Sequence, residues 1–218
     1  YGSIFGDIDK FVETNATIKA MFVENPKFNL AAQFMGTILM VLVVLATVPV
    51  ISLIGRLAKD ESLGRLDLLL LKTSRAKLLW STWCLAVLVG IIVTELGGLG
   101  LYLAATTVMA HPIAFTTVMS ATTAYLPTLL IFASLATLLI ALNRKLLNIA
   151  WLYLIASFII DYLGSLMKLS KIYHQLTPFY WVPRLPVNQM DWRYVCVMVI
   201  ISLALLGISS LIYQKRDI

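Results

Sequence analysis

The sequence predicts an all-α fold, a polytopic bundle of membrane-spanning helices, and three observations predict it. Of its 218 residues 60% are hydrophobic and only 13% charged, with a mean hydropathy of +0.90, whereas a soluble domain is nearer half apolar and a quarter charged. Several runs are long and apolar enough to cross a hydrocarbon core of about 30 Å, which takes about 20 helical residues. The charges fall in short clusters between those runs and form no continuous face. A single transmembrane domain over 1–218 is expected.

The elements follow in order. Residues 1–32 carry Ile8, Phe11, Val12, Ile18, Met21 and Phe22 at mostly helical spacing, closed by Asn25-Pro26. That pattern predicts an amphipathic helix on the outer surface. The first span, 33–55, is uncharged. The second, 78–109, carries only Glu95 and is longer than the core is thick. It must tilt, project or break, and Gly97, Gly98 and Gly100 mark the expected break. The third, 117–142, contains Pro127, and the fourth, 146–167, contains Asp161. Pro49 and Pro127 read as kinks tolerated by neighbouring helices. Residues 168–193 hold Pro178, Pro183 and Pro186, so they cannot form one helix; short external helices, or re-entrant ones, fit there. The fifth span is 194–213.

Between the first two spans lies a charged island, 56–77, reading RLAKDESLGRLDLLLLKTSRAK, with six Lys or Arg residues. Short basic loops mark the cytoplasmic face. Counted by alternate loops, ten basic residues fall on the island's side and seven on the other, so the island and the C-terminus are cytoplasmic and the N-terminal segment external. Trp80, Trp83, Trp151, Trp192, Tyr194 and Tyr213 fall near span ends, where amphipathic rings favour the interface. Within the island, Glu61 and Arg65 stand at i and i+4, and Leu63, Leu66 and Leu70 form a stripe, which predicts a helix from Glu61 to Leu70 with Gly64 as a flat spot. Thr73 or Ser74 caps the next helix, with Arg75 and Lys77 as interfacial anchors. The island reads either as a solvated loop that only sets topology or as a docking surface for a cytoplasmic partner.

The remaining chemistry is sparse. Cys84 and Cys196 are far apart in apolar segments and read as small packing residues, with no disulfide or zinc pattern. His111 and His174 have no ligand spacing, so no metal is expected, and the basic clusters do not form a nucleic-acid face. Glu95 and Asp161 are the intramembrane polar candidates, because an ionisable group at membrane depth is expensive. Glu95 has three readings: substrate or proton handling, structural pairing, or a shallower position. Asp161 reads as an interfacial structural residue. No HExxH, GxSxG or paired-acid motif points to an intramembrane enzyme, so no catalytic residue is assigned. The opening at Tyr1 without Met reads as a piece of a longer chain.

Asp60-Glu61, then Gly64-Arg65-Leu66-Asp67-Leu68-Leu69-Leu70 and Ser74-Arg75, resemble the E-x-x-G-R-L-[DE]-x-L-L…S-R segment after the second span of bacterial type 2 ABC exporter permeases, nearest the multidrug and polyketide-antibiotic branch. Leu176-Thr177-Pro178-Phe179-Tyr180, Arg184-Leu185-Pro186 and the terminal Tyr213-Gln214-Lys215-Arg216-Asp217 are similar to the end of those permeases. Leu71-Lys72-Thr73 lacks the proline often found before Ser-Arg in relatives. The resemblance implies six spans per half, with the first missing here, and the C-terminal half of a fused permease. It implies that the island holds a coupling helix for a separate ATP-binding subunit, with Glu61, Gly64, Arg65, Leu66, Asp67, Leu70, Ser74 and Arg75 at the contact. No Walker A pattern occurs in the chain, so no cofactor is expected on it, and ATP and Mg would belong to the partner. A second permease half and the lipid bilayer are the other implied partners. The implied function is export of a hydrophobic or amphipathic, drug-like compound from a bacterial cell; the alternative is a membrane scaffold or sensor coupled to an ATPase.

Overall fold

The computed structural model describes residues 30–64, 73–108, 113–164, 167, 169–182 and 191–215. All regular structure among them is helical. Five helices are long and apolar enough to cross a membrane. The expected helix within 1–32 lies outside the described residues.

Helix α1 (Leu30–Ser62) has 33 residues and contains Pro49. Its buried face repeats at helical spacing through Val43, Thr47, Val50, Ile54 and Leu57, and Thr47 returns its hydroxyl to the Val43 carbonyl at 2.8 Å. The helix does not stop at residue 55, as the apolar pattern predicts. It carries the first part of the island with it to Ser62, because nothing between Ile51 and Ser62 breaks a helix and the buried stripe continues.

Helix α2 (Arg75–Val108) is unbroken over 34 residues, so the expected break at Gly97, Gly98 and Gly100 does not exist. Glycine in a helix interior costs about 1 kcal/mol relative to alanine, and at Gly98 the missing side chain is used for close packing, whereas Gly100 faces open space. A Cβ on Gly98 would collide with the Thr122 side chain and come within 3.1 Å of Met119 Cε, and one on Gly97 would sit 3.6 Å from Leu42. At 1.5 Å per residue α2 is about 51 Å long, and its far end pairs with the short helix α3 (Phe115–Ala124), where Tyr102 and Phe115 meet edge to face at 5.2 Å.

The break falls instead in the third span, at Tyr125, between α3 and α4 (Leu126–Leu142). Pro127 stands at the start of α4. It cannot donate to the carbonyl of the preceding turn, and its ring crowds that turn. The chain closes the gap with tighter bonds, Tyr125 N–H to Thr122 O at 3.1 Å and Thr128 N–H to Tyr125 O at 3.0 Å. Helix α4 is the centre of the bundle, buried along most of its length and packed against α1, α2, α5 and α7. A turn capped by Asn143, whose Oδ1 accepts from Lys145 N–H at 3.0 Å, reverses the chain into α5 (Leu147–Leu163). At its start Leu147 packs against Gly55, where a Cβ would fall 2.7 Å from Leu147 Cδ2.

The segment after α5 holds α6 (Lys171–Gln175) and a 3-10 turn, Pro178–Trp181. It is not a cap on the bundle end. Phe179 packs on Phe132 at 5.8 Å, and Tyr153 donates to the Leu176 carbonyl at 2.8 Å. Phe132 stands about 15 Å along α4 from its Leu142 end, so the segment descends to mid-bundle. Of the external or re-entrant helices expected over 168–193, the described part, 169–182, has its irregular backbone held against protein. Gly164 permits the return, because a Cβ there would lie 2.7 Å from His174 Nε2. Helix α7 (Trp192–Lys215) closes the fold against α4.

Two of the aromatics expected at interfaces turn inward. Trp192 and Tyr194 are exposed, but Trp83 and Tyr213 are buried. Cys84 and Cys196, expected as packing residues, are both exposed on their helices.

Candidate functional site

The island is bounded by two local structures that its sequence encodes. At the end of α1, Leu63 N–H donates to Lys59 O at 3.1 Å and Gly64 N–H to Glu61 O at 3.2 Å, and Gly64 has φ 68°. This is a glycine helix stop, in which a left-handed residue satisfies the last carbonyls. Gly64 is thus a terminator and not a flat spot, and the continuous helix expected from Glu61 to Leu70 does not form. At the other side Ser74 caps α2: its Oγ accepts from Lys77 N–H at 3.3 Å, and Arg75 opens the helix. Arg65, Leu66, Asp67 and Leu70 lie outside the described residues.

The left-handed turn gives a direct test. Gly64→Val should destabilise the chain by about 1–2 kcal/mol, the cost of a left-handed L-residue. Gly64→Asn, which tolerates that region, should retain most of the stability. Thermal unfolding midpoints of the two variants, compared with the parent, check this.

Glu61 closes the buried stripe of α1, at a position where the spacing calls for an apolar side chain. It is 8% exposed, and its Oε1 has no hydrogen-bond partner among the described residues. An ionised carboxylate in that setting is costly until a cation or donor reaches it. Glu61 therefore lies in the last turn of a membrane-length helix and is its most polar buried point.

The two intramembrane acids are placed differently from each other. The stretch from Arg75 to Glu95 rises about 30 Å, the full thickness of a hydrocarbon core, which fits the shallower reading of Glu95. Glu95 is half-buried, and Thr123 Oγ1 lies 3.1 Å from its Oε1 while also reaching Met119 O at 2.8 Å. Asp161 is buried, near the Leu163 end of α5. Among the described residues no group of three His, Cys, Asp or Glu could hold a metal ion.

The main polar feature of the core joins Trp83, expected at the interface, to two serines that the sequence did not single out. Trp83 Nε1–H donates to Ser134 Oγ at 3.1 Å, Ser134 and Ser202 hydroxyls meet at 2.7 Å, and Ser202 Oγ donates to Leu130 O at 2.9 Å. A hydroxyl has one proton, so with that of Ser202 on Leu130, Ser134 must donate to Ser202. The result is a directed chain from α2 through α4 to α7 and back, with every donor used. It ties three helices where lipid would offer no alternative partner. The only sequence signal was a serine inside each of two apolar spans, too common to select these two.

The family model described as "Multidrug efflux system permease Rv1217c, C-terminal domain" matches residues 1–214 of the chain. No curated protein matches it.

Proposed function

The chain belongs to the family of the C-terminal domain of the multidrug efflux system permease Rv1217c, and from that premise we propose that it is one transmembrane half of an ATP-driven ABC exporter. It is an integral membrane permease with five helices of membrane-crossing length and apolarity. In our reading the island docks a separate ATP-binding subunit in the cytoplasm, the N-terminal segment is external, and the membrane is the bacterial inner membrane. The cargo is a hydrophobic or amphipathic compound.

The observation that carries this reading is the continuity of α1. One continuous helix of 33 residues that includes Pro49, about 50 Å long, joins the apolar span to the island and ends only at Ser62. Closure of paired ATPases against the island would therefore move the span itself, biasing the permease between inward-open and outward-open states. A loop separated from its span by flexible residues would dissipate the same displacement.

The test uses the full permease with its ATPase. Arg65→Glu and Leu66→Asp should each abolish co-purification of the ATPase and reduce ATP-driven efflux of a lipophilic dye at least about tenfold, about 1.4 kcal/mol in coupling, while membrane insertion persists. Unchanged assembly and efflux would remove the coupling assignment. Intact assembly without flux in reconstituted vesicles would make the chain a scaffold or sensor.

A further inference from the structure

The third span breaks where its packing partners change. On one side of Tyr125, α3 lies along α2 and has little contact with α4. Thr123 Oγ1 is 3.1 Å from Glu95 Oε1, Thr122 and Met119 fill the space left at Gly98, and Phe115 meets Tyr102. Glu95, Gly98 and Tyr102 stand at i, i+3 and i+7, so one face of α2 holds α3 along its whole length. On the other side α4 is fixed in the bundle centre, by α7 and α1 above all.

Between the two, the backbone takes a 3-10 step: Tyr125 N–H bonds Thr122 O and Thr128 N–H bonds Tyr125 O. Pro127 has no N–H for the Thr123 carbonyl, its helical acceptor. A 3-10 step inside an α-helical span is a common mark of a hinge. The Thr128 side chain registers the same break. Thr47, Thr94, Thr122 and Thr137, buried in other turns of the helices, each donate the hydroxyl to the carbonyl four residues back at 2.8 Å. Thr128 is 0% exposed, yet its hydroxyl has no hydrogen-bond partner among the described residues. Four residues back from it is Ala124, the last residue of α3, across the break.

We propose that Tyr125 to Thr128 is a hinge about which α3, clamped to α2, turns relative to α4. In the position seen here the Thr128 hydroxyl is unpaired, which is unfavourable in a buried site. In the other position α3 and α4 align and Thr128 donates to Ala124 O. Pro127 opposes alignment and Thr128 favours it, so adjacent residues hold the two positions in balance. Displacement of α2 against the bundle centre is then taken up at one buried joint instead of bending a continuous span. The hinge depends only on how these helices are joined, and not on the docking of an ATPase.

Electron–electron double resonance on the full permease in lipid nanodiscs, in a cysteine-free background, tests it. Spin labels are placed by Leu85→Cys, Ser120→Cys and Leu142→Cys, all at exposed positions. The 85–120 pair, which joins α2 to α3, should give one narrow distance. The 120–142 pair, which crosses the hinge, should give a wider or two-component distribution. Pro127→Ala should shift that distribution to its longer component, near the about 33 Å of a continuous helix of 22 residues. Thr128→Val, which removes the unpaired hydroxyl, should shift it to the shorter one. A 120–142 distribution no wider than the 85–120 one, or one that Pro127→Ala leaves unchanged, would overturn the hinge.

Discussion

Replacing Gly90 with leucine is expected to cost the bundle about 3 kcal/mol, enough to disrupt the crossing of α1, α2 and α4. A Cβ at Gly90 would fall 2.6 Å from Val50 Cγ2 and 3.6 Å and 3.8 Å from the two methyls of Leu129. Val50 and Leu129 are 0% and 1% exposed, so neither has free space to retreat into. A β-branched side chain in a helix is held in essentially one rotamer. The overlap is thus transmitted to backbone, where overpacking costs about 1–3 kcal/mol, occasionally more. Gly90→Ala should be milder, because about 1 kcal/mol of helix propensity offsets part of the clash. Adding Val50→Ala to Gly90→Ala removes the opposing methyl and should restore stability. Unfolding midpoints in detergent, with and without Val50→Ala, check both statements; a Gly90→Leu variant as stable as the parent would refute the close crossing.

Ser134→Ala is expected to lower stability by about 1–3 kcal/mol, the cost of leaving a buried donor or acceptor unpaired. Ser134 is the centre of the chain from Trp83 to Leu130. Removing its hydroxyl strands the Trp83 N–H and takes a donor from Ser202 at once. Hydrogen bonds between helices in membranes average only about 0.6 kcal/mol, so the larger effect comes from stranded groups. That distinction can be measured: Trp83→Phe removes the donor that Ser134→Ala strands, and the double variant should be less destabilised than the two single effects summed. Strict additivity would show that the three side chains do not act as one unit.

Pattern and composition made the bundle legible because membrane burial imposes a length and an apolarity that any spanning segment must meet. Within that frame, single residues behaved less predictably. Ser74 caps α2 as its position between the charged loop and the apolar run indicates, since capping depends on local bonds alone. Gly64 was read as part of an amphipathic helix; its φ of 68° makes it the end of one, and spacing cannot distinguish a helix that continues from one that stops and resumes. Gly97 and Gly98 were read as a break for the same reason. Glycine serves both purposes, and only the partner across the helix decides which.

Trp83 illustrates the limit on site residues. Eight residues into α2, it lies where an interfacial ring is expected, yet it is 9% exposed and bonded to Ser134. Rotation of a helix about its axis moves a side chain from lipid to core without changing its depth. Hydropathy reads depth, while rotation is fixed by packing against helices distant in sequence.

By itself the sequence determined that this protein is a bundle of membrane-length helices, how many apolar spans it presents, and where its charged island lies. These follow from local propensity and from the cost of placing charge and free backbone in hydrocarbon. The tertiary structure alone decided that α1 runs unbroken into the island, that the third span breaks at Tyr125, that the segment around Phe179 descends to mid-bundle, and that Trp83, Ser134 and Ser202 share protons. Each of these depends on close approach between helices, which arises from steric fit among side chains remote in the chain and leaves no periodic trace within any one segment.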